Sequence, residues 1–131
     1  MLNLVALFDE YERLLLASPV ITRFRVFKRR VLERDGHIRV RAELVGGGLL
    51  EFSEFWNEVE EDGLARREYV YHWQNVEGRL VRRWDNVNHH SHLPYAPHHV
   101  HSTDDHVEGV ARPPDLAAVL QEIEKQARPR Q

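Results

Sequence analysis

The chain has 131 residues, with 18 Lys and Arg, 21 Asp and Glu, nine His, no Cys, and a formal charge of -3 with neutral imidazoles. This composition excludes a disulfide framework, a thiolate nucleophile and cysteine-ligated zinc, and a net basic nucleic-acid binder by overall charge alone. The length suits a single domain, 1–131, with a core that needs no covalent staples.

From Leu2 to Ala17 the apolar residues Leu4, Leu7, Phe8, Tyr11, Leu14 and Leu15 recur at three- and four-residue spacing, which predicts a helix over 2–17. The apolar start runs at once into Asp9, Glu10, Glu12 and Arg13, so it reads as an amphipathic helix and not a signal peptide or membrane span. With the absence of cysteine this makes the cytoplasm the expected location. Ser18-Pro19 ends the helix, and a period of two takes over across 20–87.

Arg23, Arg25 and Arg29 take one parity, with Phe24, Val26 and Leu32 on the other. Asp35-Gly36 has the composition of a hairpin turn. Ile38, Val40, Ala42 and Leu44 then alternate with Arg39, Arg41 and Glu43, the pattern of a sheet wet on one side. Gly46-Gly47-Gly48 reads as a second turn, because no GK[ST] follows as a phosphate-binding loop requires. Leu49 to Val59 and Leu64 to Gln74 give the third and fourth strands, the latter with Tyr69, Tyr71 and Trp73 on one face and Val70 and His72 on the other. Arg79 to Val87 gives the fifth. Residues 86–103 are expected to form a loop, 104–112 an irregular stretch, and Pro113-Pro114-Asp115 to open a helix over 114–126 with Leu116, Val119, Leu120 and Ile123 as its stripe. The predicted fold is α+β: a five-stranded antiparallel meander with the N-terminal and C-terminal helices packed on one face.

The loop from Asn86 to Thr103 carries no Asp, Glu, Lys or Arg, yet six of its eighteen residues are histidine: His89, His90, His92, His98, His99 and His101. Imidazole moves protons near neutrality and binds metals when neutral. Three chemistries compete for it. In the first, histidines act as general base and general acid on an RNA 2′-hydroxyl and its leaving oxygen without metal, while arginine holds the phosphate. The candidate catalytic residues are His72, Asp85, His89, His90, His99 and His101, with Arg82, Arg83, Asn86 and His98 binding substrate. In the second, His99 and His101, two apart on an extended chain, clamp a divalent metal completed by Asp85, His89 or His92. Zinc and nickel suit such a site, as do manganese and iron; the first chemistry needs no cofactor.

The third is structural or partner-directed. His72 between Tyr71 and Trp73 reads equally as a hydrogen-bonded core residue, and Asp85-Asn86 as a turn cap. Arg39, Arg41, Arg66, Arg67, Arg82 and Arg83 form either one basic face or ordinary salt-bridged strands.

Tyr69-Val-Tyr-His-Trp-Gln74, the turn ending at Gly78, Arg83-Trp-Asp-Asn86, His89-His90 and Pro97-His-His-Val-His101 together resemble the central motif of the TumE-like toxins of bacterial toxin-antitoxin pairs. Leu44 to Phe52 is similar to the family's Leu-x-x-Gly-x-x-Leu-x-Phe pattern, and the chain departs from it at Val87-Asn88, where Ala-Pro is expected. The resemblance implies a cytoplasmic bacterial toxin with a cognate antitoxin, expected to be a helix-turn-helix protein. It assigns no catalytic residue. RNA is the expected target and no membrane is involved; a homodimer stays open. The reading from another class is a non-catalytic binding module or metal-binding protein whose histidine loop contacts a partner.

Overall fold

The computed structural model describes residues 3–60, 63–88, 90–103 and 105–127. Its elements are α1 (Leu4–Ala17), β1 (Ile21–Leu32), β2 (Asp35–Leu44), β3 (Leu49–Val59), β4 (Gly63–Gln74), β5 (Leu80–Asp85), β6 (His99–Ser102), β7 (Val107–Gly109) and α2 (Leu116–Ala127). The strands form one antiparallel sheet in chain order from β1 to β7. The expected meander is therefore present, with seven strands instead of five. Residues 99–102 alternate like a strand, and Pro94 and Pro97 lie before it, where no ladder donor is required. Two short strands thus emerge from the predicted loop and the irregular stretch after it.

Each helix starts at a side-chain cap. Asn3 Oδ1 accepts from the Ala6 N–H at 2.8 Å, and Asp115 Oδ1 from the Ala118 N–H at 2.8 Å. Because Asp115 caps, Pro113 and Pro114 stay outside α2 and the helix begins at Leu116. Leu4, Phe8, Tyr11 and Leu15 of α1 and Leu116, Val119, Leu120 and Ile123 of α2 are buried. Both stripes pack on the sheet side that carries Val40, Phe52, Tyr71, Trp84 and Val100. No described helix is long and apolar enough to cross a membrane.

Two local expectations are corrected. The β1–β2 turn is Glu33-Arg34, since Leu32 pairs with Asp35 and Gly36 lies within β2. Gly36 is needed for another reason: a Cβ there would meet Leu4 and Phe8 of α1 at 3.1 Å. A bulge between Val26 and Lys28 reverses the parity of β1. Arg29 consequently turns to α1, donating to Asp9 at 2.6 Å and to Glu12, while Leu32 is left 54% exposed.

Glu54 lies on the helix side of β3, fully buried. Its carboxylate accepts from the Tyr11 and Tyr71 hydroxyls, both at 2.5 Å, from Trp56 Nε1 at 2.7 Å and from Arg66 Nη1 at 2.9 Å. Arg66 also donates to the Pro114 carbonyl at 2.7 Å, tying α1, the sheet and the entry to α2 at one point. Burial opposes the Arg66 charge, but Glu54 outweighs it and the guanidinium pKa rises.

Candidate functional site

Residues paired across an antiparallel ladder share a face, so the register lays two rows across the side of the sheet that the helices leave uncovered. One row is Lys28, Arg39, Ser53, Val70, Asp85, His99 and Gly109. The other is Arg25, Arg41, Glu51, His72, Arg83, His101 and Val107. Cations start both rows, and imidazoles are the last ionisable groups in them.

Asp85 is 3% exposed and His99 2%. Asp85 Oδ1 accepts the Val87 N–H at 2.9 Å and lies 3.0 Å from His99 Nε2; Oδ2 meets Arg83 Nε at 3.2 Å and His101 Nε2 at 4.0 Å. The opposite nitrogen of His99, Nδ1, donates to the Pro97 carbonyl at 2.8 Å. His90 closes the group, its ring centroid 4.9 Å from His99 and 5.4 Å from His101. Gly109 makes room for the segment that delivers His90: a Cβ there would fall 1.9 Å from the Pro94 carbonyl oxygen. Burial, His99, His90 and Arg83 hold the His101 pKa below its usual value against the pull of Asp85.

Beside this cluster, His72 Nδ1 lies 3.4 Å from Arg83 Nη1, and both line a pocket with His37, Arg39, Ser53 and Phe55. His37 stacks on Phe55 at 3.8 Å, and the guanidiniums of Arg25 and Arg39 lie 4.8 and 5.9 Å from the Phe27 ring centroid. The open face thus interleaves aromatics and cations.

The structure brings together His72, Arg83, Asp85, His90, His99 and His101. His89 lies outside the described residues. Arg82 points to the other face, 3.6 Å from Glu122 of α2. His98 also lies away from the cluster, stacked on Tyr69 and 3.0 Å from its hydroxyl. Asn86 extends the β4 edge, accepting from the Tyr69 N–H at 3.0 Å and donating to the Arg67 carbonyl at 2.9 Å. His92 borders the group at 6.0 Å from His90. The six arginines do not share one face, because Arg66 is bound to Glu54 and Arg82 faces α2.

A family model described as Toxin TumE matches residues 11–130. The chain belongs to the TumE toxin family. No curated protein and no solved structure matches it. Membership in the TumE family points to a toxin and implies an antitoxin partner. The matched region of this TumE chain contains the whole sheet and therefore both rows.

Stability of this TumE protein should peak between about pH 7 and 10. Burial lowers the pKa of His37, helped by Lys28, Arg30 and Arg39, and lowers that of His98, helped by Arg66 and His99. The unfolded chain therefore takes up protons first as pH falls below about 6.5, and stability drops. Burial pushes Tyr69 up to about 12, and burial together with Glu54 raises Tyr11 and Tyr71. Their stabilisation is complete below about pH 10 and is lost as pH rises through the folded values. Urea midpoints from pH 5 to 11 measure both limbs.

Proposed function

We propose that this toxin acts on RNA, with the helix-free sheet face as its substrate surface and the Asp85–His99–His101–His90 cluster as its chemical centre. One observation carries the reading: the cluster and Arg83 occupy the end of an uncovered face whose rows lead back through Arg39, Lys28 and Arg25. A polyanion laid along those rows meets cations first and imidazoles last. Exposed aromatics among the cations offer unpaired bases a stacking surface, which favours single-stranded RNA.

Arg83 is the phosphate-holding group. Its Nε is engaged by Asp85, which fixes the guanidinium plane beside the cluster. Cleavage by the 2′-hydroxyl requires that oxygen to lose a proton and the leaving oxygen to gain one. His101, held toward its neutral form, is placed to receive the 2′-hydroxyl proton in the half-exposed part of the site, and His90, its ring centroid 5.4 Å away, is the neighbouring imidazole that would give a proton to the leaving oxygen. The antitoxin, as a helix-turn-helix protein or another small fold, would silence the toxin by covering this face.

The test is purified full-length protein incubated with total bacterial RNA, cleavage being read on a gel. Wild type should fragment RNA, and Arg83→Ala should slow this by about 100- to 1000-fold, the usual cost of removing one charge-stabilising donor. His106→Ala, an exposed residue outside the cluster and 3.5 Å from Glu108, should match wild type. Intact RNA at doses that arrest growth, or an Arg83→Ala variant as active as wild type, would remove the reading.

A further inference from the structure

His99 poses a specific electrostatic problem. Its Nδ1 is committed as donor to the Pro97 carbonyl, while its Nε2 faces the Asp85 carboxylate at 3.0 Å. A ring carrying only the Nδ1 proton would set the Nε2 lone pair against a carboxylate oxygen. Some cation must lie between them, either a second proton or a metal ion.

The surroundings select the metal. One ring nitrogen from each of His90, His99 and His101 lies within 4.8 Å of the other two, and the rings meet at 66° to 75°. A proton needs one acceptor and gives no reason for further imidazoles to converge. An imidazolium repels a second protonated ring, whereas a metal uses the lone pair of every neutral ring that reaches it. The Pro97 contact also fits, since a ligating histidine donates its other N–H to a carbonyl or carboxylate that fixes its tautomer.

We infer that His90, His99 and His101 bind one divalent transition metal, zinc foremost, with Asp85 supplying the countercharge against the same point. Three nitrogens at about 2.0–2.1 Å from zinc stand roughly 3.3 Å apart in a tetrahedral site. Rotation of the half-buried His90 and His101 rings toward the anchored His99 closes that gap. Nitrogen ligands favour zinc, nickel or copper over magnesium and calcium, which select oxygen. With Asp85 Oδ1 3.0 Å from His99 Nε2 as the fourth ligand, zinc would take a water or a phosphate oxygen by expanding to a fifth position.

The inference deepens the RNA reading by naming a cofactor for the same centre and reassigns the His90 and His101 lone pairs from proton transfer to the metal, but the metal site itself does not depend on the substrate. Untagged full-length protein, prepared without a nickel column and stripped by a chelator, is titrated with zinc by calorimetry. One equivalent should bind, and His90→Ala and His101→Ala should each weaken it more than about 100-fold, beyond the usual effect of losing a supporting contact. Cobalt should give the absorption of a tetrahedral site in wild type, a readout that needs no variant to fold. Absence of saturable binding, or equal affinity in a folded His90→Ala/His101→Ala double variant, would overturn the site. Stripped protein that still cleaves RNA at the wild-type rate also counts against a cofactor role, and leaves the RNA reading standing with a proton between His99 and Asp85. One bound zinc lost in the variants, with RNA untouched, would keep the metal site and remove the RNA reading.

Discussion

Glu54→Ala should cost about 3–5 kcal/mol and lower the urea midpoint further than any single apolar truncation on the open face. Four donors converge on that carboxylate, and three of them, the Tyr11 and Tyr71 hydroxyls and the Arg66 guanidinium, are buried or nearly so. Truncation leaves an unbalanced charge and two unsatisfied hydroxyls in a space that water reaches poorly. Against a typical total stability of about 5–15 kcal/mol, a loss of this size brings the domain close to unfolding at growth temperature. Glu54→Gln keeps the volume and one acceptor oxygen but places an amide donor among donors. It should fall between Ala and wild type, and equilibrium urea unfolding of the three proteins orders them. A Glu54→Ala variant within about 1 kcal/mol of wild type would mean that the network is not what joins α1 and the entry to α2 to the sheet.

Glu54 also shows what the sequence leaves hard to read. Its parity is that of Leu50 and Phe52, so a carboxylate on the apolar side of a strand was visible. Apart from Trp56, two residues on, its donors were not, because they come from a helix 43 residues away in sequence and from the following strand, where a bulge turns Arg66 inward. The third and fourth strands and both helical stripes were legible because alternation and helical spacing are local signals. The Val26–Lys28 bulge was not, and one extra residue there exchanges Arg29 for Leu32 at the surface.

The candidate site divides along the same line. Adjacent strand residues face opposite sides, so Arg82 with Arg83, and His98 with His99, could never both join one cluster. Strand spacing decides between the members of each pair only once the two extra strands are known. His99 and His101 sharing a face followed from spacing alone. That Asp85 lies directly opposite His99 follows from register, and register comes from pairing across the sheet. Gly109 had a signal of its own, a lone glycine between Glu108 and Val110 in a short strand, which often marks a close backbone approach. Here the approach is made by Pro94.

Asp85→Asn should abolish toxicity while leaving the protein folded. The substitution preserves shape, and an amide oxygen can still accept the Val87 N–H that fixes the end of β5. What disappears is the negative charge toward which Arg83, His99 and His101 all point at 3.2, 3.0 and 4.0 Å. Without it, a cation shared by His99 and Asp85 loses its counterion, whether that cation is a proton or a metal. The guanidinium of Arg83 also loses the charged partner that orients it. Proton transfer in a positioned site contributes about 100- to 10,000-fold, so growth arrest should require a correspondingly higher dose or vanish. Folding should change by only about 1–3 kcal/mol, the range for one weakened buried contact. Growth assays under graded induction, paired with urea unfolding of the purified variant, separate the two effects. A folded Asp85→Asn protein that arrests growth at the wild-type dose would place the toxic chemistry elsewhere on the molecule. A variant that is folded, inert and still bound by the antitoxin would confine the loss to the chemical centre.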